Sequence, residues 1–423
     1  MGTVVAMSTD GETSAADRAL RLRIPQPGSR SGEPLTSAAL HLSRAGEVRR
    51  PDIAEDFGDL APLCEQMIRV LSVDGRALGP WAGTLSTDEL VRGLRDMMLV
   101  RALDARMLRA HRQGKISFYM QCLGEEAIAC GQQRALRPGD MNFPTYRQQG
   151  LLVAAGYPLV DMMNQVLSNR HDPLRGRQLP VMYSSREYGF FSISGNLATQ
   201  YVQAVGWAMA SALAGGDAIA SAWIGEGASA ESDFHAALVF ASTYQAPVVL
   251  NIVNNHWAIS TPEDFARGAS ATFASRGLGY GIPSVRVDGN DYLAVHAVSR
   301  WAAERARTNR GPTMVEWITY RAGAHSTSDD PAGYRAEGSA SQFPLGDPIE
   351  RLRNHLVVSE VWDAERHTVL AAEVDAAVAA AFEEADSYGS AKGGAMSDAA
   401  SMFDDVFEVL PRHLVEQRRQ AGL

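Results

Sequence analysis

A carboxylate and an amide, each placed just after an apolar run, are the residues of this sequence best suited to chemistry. Glu226 follows the run 219–224, and Asn255 follows the run 248–253, with a helix-spaced stretch and Pro247 between the runs. Two runs joined by one helix are expected to be parallel neighbours in a sheet, because such crossovers are short and right-handed. Ligands of an open parallel sheet bind outside the carboxyl ends of its strands. We therefore expect Glu226 and Asn255 to face each other across one crevice.

These two oxygen ligands suit a hard divalent cation that carries phosphate. Carboxylate and amide oxygens bind Mg²⁺ or Ca²⁺, and Mg²⁺ keeps positions open for phosphate oxygens. Gly225 and Gly227 would let the backbone approach a diphosphate closely, and the predicted helix from near Ser232 would point its amino end at that charge. Two ordinary surface turns are the alternative. The 26 residues between Gly227 and Asn254, which hold one helix and one strand, favour the metal site.

The same stretch resembles the metal-binding fingerprint of the thiamine diphosphate enzymes. That fingerprint is Gly-Asp-Gly, a comparable span and Asn-Asn, and this chain has Glu226 where most of the superfamily has Asp. Other segments, in the same order over about residues 85–420, resemble the alpha subunits of the 2-oxo acid dehydrogenases, specifically the branched-chain type. These segments are KISFYMQCLGEE, YRQQG, ISGNLATQ, IGEGASAESDFH, NNHWAIST, GYGIPSVRVDGND and TYRAGAHSTSDDPAGYR.

The resemblance implies a set of cofactor-binding residues. Those expected to bind thiamine diphosphate are Tyr146, Arg147, Gly195, Leu197, Gly225, Glu226, Gly227, Ala228, Asn255 and His325. Mg²⁺ would be held by Glu226, Asn255 and the backbone carbonyl of Trp257. Arg147 suits the diphosphate because its planar guanidinium makes paired hydrogen bonds to phosphate oxygens. Without the resemblance, a salt bridge at a helix start would be its expected role.

His325 is the implied catalytic residue. It lies in a polar loop after a predicted strand and matches the active-site histidine of the family. An imidazole there, with an ordinary pKa near 6.5, could contact phosphate or assist acyl transfer. A lone loop histidine otherwise faces solvent.

A potassium-binding loop of the branched-chain members is matched by Ser194, Asn196, Thr199 and Gln200. The start of a helix would show the same residue types without any ion, so both interpretations stay open. Two departures from the family concern the diphosphate. Val253 stands where several relatives carry an Arg, and Thr145 stands where some have Gln. Loss of that Arg removes one charge-assisted contact worth about 1.5–3 kcal/mol.

The implied function is that of the alpha subunit of a branched-chain 2-oxo acid dehydrogenase complex. Such an oxidoreductase decarboxylates 2-oxoisovalerate-type acids (the 3-methyl-2-oxobutanoate type) in branched-chain amino acid catabolism. It transfers the acyl group to the disulfide of lipoyl on an acyltransferase partner. In the family a beta subunit supplies the carboxylate that activates the aminopyrimidine, so we expect a heterotetramer of two alpha and two beta chains. Pyruvate and acetoin are alternative substrates within this class.

Two hypotheses outside this class are less favoured. A non-catalytic scaffold that kept the fold is disfavoured by the intact Glu226, Asn255, Arg147 and His325. A nicotinamide-binding Rossmann enzyme is disfavoured because no G-x-G-x-x-G follows a predicted strand.

Composition limits the partners and the compartment. The 423 residues carry a net charge of −10 and no basic stripe, which argues against a nucleic-acid partner. The three cysteines lack metal-ligand spacing and are typical of a reducing compartment. No apolar run approaches the roughly 18 residues of a membrane span, and acidic residues among the first thirty argue against a transit peptide. We therefore predict a cytoplasmic protein without a membrane anchor.

Alternating strands and helices predict an α/β fold with a parallel sheet flanked by helices, and the resemblance implies the thiamine diphosphate-binding fold. Residues 1–60, rich in Gly, Ser, Pro and Arg, are expected to form an extended N-terminal arm. Residues 61–345 are expected to form the cofactor-binding domain, and residues 346–423 a helical C-terminal region. Ser86 is expected to cap the first long helix, and residues 261–283 to form a loop.

Overall fold

The computed structural model describes residues 40–83, 85–394 and 397–423 of the chain. Residues 1–39, most of the predicted N-terminal arm, lie outside this part. Residues 40–60 lie against the α/β domain. The indole Nε1 of Trp301 donates to the carbonyl of Pro51 at 3.2 Å, and that of Trp81 donates to the carbonyl of Arg49 at 3.0 Å.

The strands define one large sheet and two small ones. They are β1 (Met67–Ile68), β2 (Met141–Phe143), β3 (Ala220–Gly225), β4 (Val248–Asn254), β5 (Trp257–Ala258), β6 (Thr261–Pro262), β7 (Ser284–Asp288), β8 (Thr313–Ile318), β9 (Gly389–Ser390) and β10 (Gly393–Gly394). Six of them form one parallel sheet in the order β1–β7–β8–β4–β3–β2. The antiparallel pairs are β5–β6 and β9–β10. The predicted parallel α/β sheet is confirmed.

Helices cover the sheet and form most of the C-terminal region. They are α1 (Phe57–Leu60), α2 (Thr87–Arg112), α3 (Glu126–Gln133), α4 (Gln149–Ala155), α5 (Leu159–Leu167), α6 (Thr199–Leu213), α7 (Ser232–Tyr244), α8 (Glu263–Arg267), α9 (Ser275–Leu278), α10 (Tyr292–Arg307), α11 (Pro348–Val358), α12 (Ala364–Ser387) and α13 (Arg412–Gln420). Within the described ranges no helix is long and apolar enough to cross a bilayer. The cytoplasmic location stays a prediction.

Strand β4 shows why helices pack on both faces of the sheet. All seven of its residues are buried, as is typical of a parallel sheet covered on both sides. Val249 and Val253 belong to the apolar cluster that contains α2, α3 and α10. Leu250 and Ile252 belong to the cluster on the other face, with α6 and α7. This alternation follows from the two-residue period of a strand.

The unit β3–α7–β4 is the strand–helix–strand unit that the sequence predicts. The two strands are parallel neighbours, and Gly225 is paired in register with Val253. This register brings the carboxyl ends of β3 and β4 together, so the residues that follow them share one edge of the sheet. The helix is one residue displaced from the predicted span of 233–245.

Other elements agree with the sequence to different degrees. The capping box is present at the start of α2, where the backbone N–H of Glu89 donates to Ser86 Oγ at 3.3 Å. The interpretation of 261–283 as a loop was wrong in part, because the short strand β6 and the helices α8 and α9 form there. Both helices are at most five residues long, which is too short for apolar periodicity to reveal. Asp347 caps α11, where the predicted C-terminal region begins.

Candidate active site

A cavity of about 300 Å³ opens at the carboxyl ends of β3 and β4. Its position is the one that a parallel sheet favours for ligands. The structure brings together most of the residues predicted to bind cofactor or metal. Those lining the cavity are Tyr146, Arg147, Leu197, Gln200, Gly225, Glu226, Gly227, Ala228, Asn255, Trp257 and His325. Gly195, Ser194, Asn196 and Thr199 do not line it.

Glu226 and Asn255 face each other in this cavity, as expected. The backbone N–H of Asn255 donates to Glu226 Oε2 at 3.4 Å, and Glu226 is 2% exposed. Glu226 Oε1 is buried and has no hydrogen-bond partner among the described residues. Burial raises the pKa of this carboxyl to about 7. A buried oxygen without a partner costs free energy unless a cation or donor satisfies it.

This oxygen set fits a hard divalent cation. Asn255 Oδ1 accepts the Trp257 N–H at 3.2 Å, and the Trp257 carbonyl accepts from Arg321 Nη1 at 3.0 Å. Each of these oxygens keeps a second lone pair. In the portion of the chain that the structure describes, no group of three or more His, Cys, Asp or Glu could hold a metal. A cation here would therefore need the mixed set of one carboxylate, one amide and one carbonyl, which Mg²⁺ accepts.

The two glycines around Glu226 have different reasons to be glycine. A Cβ built on Gly225 would meet no atom of the described residues within 4 Å, so these residues leave the cavity open at that point. A Cβ on Gly227 would lie 2.4 Å from Cβ of Ala258. Gly225 thus suits close approach of a ligand to the backbone, whereas Gly227 is also required by contact with β5.

Arg147 is held at the cavity wall by two other segments, which contain Gln121 with Glu125 and His325. One guanidinium nitrogen donates to the carbonyl of Gln121, and another donates to the carbonyl of His325 at 2.9 Å. Arg147 Nε lies 3.6 Å from Glu125 Oε1. With only 5% of its surface exposed, Arg147 is a preorganised cation facing the open space beside Glu226.

His325 is half-buried beside two guanidinium groups. Its Nδ1 lies 3.3 Å from Arg147 Nη2 and 3.3 Å from Arg321 Nη1. Since both neighbours can only donate, Nδ1 accepts, and the ring proton is on Nε2. Burial and the charges of Arg147 and Arg321 lower the pKa of His325 to about 3. The imidazole is therefore neutral at physiological pH.

The segment proposed to bind potassium has ordinary turn hydrogen bonds and one unusual atom. Ser194 Oγ accepts the Asn196 N–H at 3.1 Å, and Thr199 Oγ1 donates to the Asn196 carbonyl at 2.9 Å. Gln200 Nε2 donates to the carbonyl of Trp223 at 2.7 Å. Gln200 Oε1 is buried and has no partner within the described residues. That oxygen is available to a cation.

Two polar residues of the site, Glu125 and Arg321, have no role predicted from the sequence. Glu125 lines the cavity and accepts from Asn255 Nδ2 at 2.9 Å. Arg321 contacts His325 and the carbonyl of Trp257. Both lie within quoted family segments, GEE and RAGAH, but their contacts depend on tertiary structure. The two residues that depart from the family pattern also line the cavity. They are Val253 and Thr145, and Thr145 Oγ1 donates to Gln148 Oε1 at 2.5 Å.

Comparisons with known proteins find two matching families and several similar relatives. Residues 94–393 match the family described as dehydrogenase E1 component, and residues 18–57 match the 2-oxoisovalerate dehydrogenase E1 alpha subunit N terminal family. The chain is 58% identical over 404 residues to the 2-oxoisovalerate dehydrogenase subunit alpha of Pseudomonas aeruginosa, covering 96% of this chain and 98% of the relative. It is 38% identical over 353 residues to the mitochondrial 2-oxoisovalerate dehydrogenase subunit alpha of Mus musculus, covering 83% of this chain and 78% of the relative. It is 37% identical over 354 residues to the mitochondrial 2-oxoisovalerate dehydrogenase subunit alpha 1 of Arabidopsis thaliana, covering 82% of this chain and 73% of the relative.

Proposed function

The chain belongs to the dehydrogenase E1 component family, among its 2-oxoisovalerate dehydrogenase alpha subunits, and from that premise we propose how its residues serve the reaction. The resemblance predicted from the sequence is confirmed. The family depends on thiamine diphosphate, and the chain functions as the alpha subunit of a branched-chain 2-oxo acid dehydrogenase. The alternatives, pyruvate and acetoin dehydrogenase, are not favoured.

The cavity at the ends of β3 and β4 would hold the diphosphate of the cofactor through Mg²⁺. The supporting observation is Oε1 of Glu226, which is buried opposite Asn255 and has no hydrogen-bond partner in the part of the chain that the structure describes. Glu226, the Asn255 amide oxygen and the Trp257 carbonyl would bind the metal. Bound thiamine diphosphate would supply the nucleophilic carbon and the electron sink for loss of carbon dioxide.

Arg147 and His325 would act on the diphosphate and the acyl group. Arg147 would donate to phosphate oxygens without reorganisation, because its contacts to Gln121 and His325 already hold it in place. His325 would present Nε2–H toward the cavity as a neutral donor. Tyr146 would cover this side of the site, since its ring meets that of His325 edge to face at 5.8 Å.

The partners follow from the subunit class. An alpha subunit implies a beta subunit and an acyltransferase. In detail, we propose two alpha and two beta chains, with the carboxylate that activates the aminopyrimidine supplied by the beta subunit. The acyl group would pass to lipoyl on the acyltransferase.

The substrate assignment is tested by turnover of two acids. The chain, assembled with its beta subunit, is expected to turn over 2-oxoisovalerate with a kcat/KM at least about tenfold above that for pyruvate, because two methyl groups change the apolar contact of the acid. Decarboxylation measured with an artificial electron acceptor gives both values. The alpha chain alone serves as the control and should be inactive. A preference for pyruvate would contradict the assignment.

We also propose that K⁺ binds the loop that contains Ser194, Asn196, Thr199 and Gln200. The proposal is supported by Gln200 Oε1, which is buried and has no hydrogen-bond partner among residues 40–83, 85–394 and 397–423. The assembled enzyme is expected to melt about 2–4 °C higher in KCl than in NaCl of equal ionic strength, because an ion that binds only the folded state stabilises it. Thr199→Val should remove this difference. Equal midpoints for the wild-type enzyme in the two salts would contradict a potassium site.

A further inference from the structure

Glu125 is a buried carboxylate in the cavity wall that the roles described above do not use. It precedes α3 and is 2% exposed. Its Oε1 accepts from Asn255 Nδ2 at 2.9 Å and lies 3.6 Å from Arg147 Nε. One oxygen therefore lies between the amide expected to bind metal and the guanidinium expected to bind diphosphate.

The contacts of Asn255 fix which end of its amide faces which neighbour. A carboxylate oxygen can face only the NH₂ group, because facing the amide oxygen would place two acceptors together. On the other side, the Trp257 N–H requires the amide oxygen, which accepts it at 3.2 Å. Both contacts impose the same orientation, so Oδ1 is presented for a metal and Nδ2 is kept away from it. Outer partners of this kind commonly set the orientation of metal ligands.

We propose that Glu125 is a positioning residue that aims the amide oxygen of Asn255 at the divalent cation. This inference rests on the proposed function, since it concerns the same metal. Without an acceptor at residue 125, only the Trp257 N–H still selects the orientation of the amide. The amide would then present its NH₂ group, which cannot bind a cation, more often than in the wild-type protein. The contact with Arg147 is secondary, because that guanidinium is also held by two carbonyls.

Two substitutions of similar size separate this role from general damage. Glu125→Met keeps the volume but removes the acceptor, whereas Glu125→Gln keeps an oxygen that can accept from Asn255. Apparent Mg²⁺ affinity of the assembled enzyme, measured by calorimetry at saturating thiamine diphosphate, is expected to fall about 10–100-fold for Met. For Gln it should stay within about threefold of wild type. Melting of each cofactor-free assembly shows that it is folded.

Glu126→Gln is the matched control. Glu126 is the adjacent buried glutamate, but it pairs with Arg101 at 2.8 Å and accepts the Gly124 N–H, whereas the side-chain amide of Asn255 donates to Glu125. Its substitution should lower the melting temperature and leave Mg²⁺ affinity unchanged. Unchanged affinity in Glu125→Met would overturn the positioning role, as would equal losses in Met and Gln. If the wild-type enzyme itself fails to bind Mg²⁺ with thiamine diphosphate, the proposed function fails instead.

Discussion

Glu226→Ala is expected to weaken Mg²⁺-dependent binding of thiamine diphosphate by about 100-fold or more. The substitution removes the only carboxylate of the proposed metal set and leaves an amide and a carbonyl, which hold Mg²⁺ poorly. A loss of this size is on the order of 3 kcal/mol, the upper range for one charge-assisted contact. Calorimetry on the chain assembled with its beta subunit measures the affinity directly.

Glu231→Ala is the control for this experiment. Glu231 is exposed at the start of α7, and its side chain makes no capping hydrogen bond. Glu231→Ala removes the same charge as Glu226→Ala, close to the site. Because Glu231 is not part of the proposed metal set, this substitution should leave cofactor affinity unchanged. If Glu226→Ala binds the cofactor as tightly as wild type, Glu226 does not hold the metal.

His325→Ala is expected to lower turnover of the complex by about 10²–10⁴-fold, the usual range for loss of a positioned acid–base group. Cofactor affinity should change only a few-fold, because Arg147 donates to the backbone carbonyl of residue 325, which alanine retains. Turnover with the lipoyl acyltransferase and calorimetric affinity must both be measured.

His413→Ala, in the exposed C-terminal helix α13, is the corresponding control and should leave both quantities unchanged. A fall in cofactor affinity that parallels the fall in turnover would indicate that His325 supports the loop structure rather than the reaction. Unchanged turnover would remove it from the mechanism.

The sequence was sufficient for the sheet edge that forms the site. Glu226 and Asn255 could be paired because they end two strands joined by one helix, and parallel register leaves little freedom in where such ends lie. The spacing of the two strands along the chain was therefore enough to predict that Glu226 and Asn255 lie close together. The roles of Arg147 and His325 were instead inferred from the family resemblance, because both residues are 79 or more positions from Glu226 in the sequence.

Other features of the site could not be predicted, because they depend on how segments far apart in the sequence pack against each other. Glu125 is 130 residues before Asn255, and nothing in local periodicity relates a residue before α3 to one after β4. The close contact of Gly227 with Ala258 is likewise a product of tertiary packing. The composition of residues 1–60 predicted an extended arm, but composition does not reveal that the carbonyls of Arg49 and Pro51 accept from buried indoles.

The most direct measurement is a crystal structure of the chain assembled with its beta subunit, thiamine diphosphate and Mg²⁺. The metal is predicted to lie about 2.1 Å from Glu226 Oε1, Asn255 Oδ1 and the carbonyl oxygen of Trp257. The cofactor diphosphate should complete its coordination beside Arg147. A metal bound elsewhere, with Glu226 outside its coordination sphere, would contradict the account.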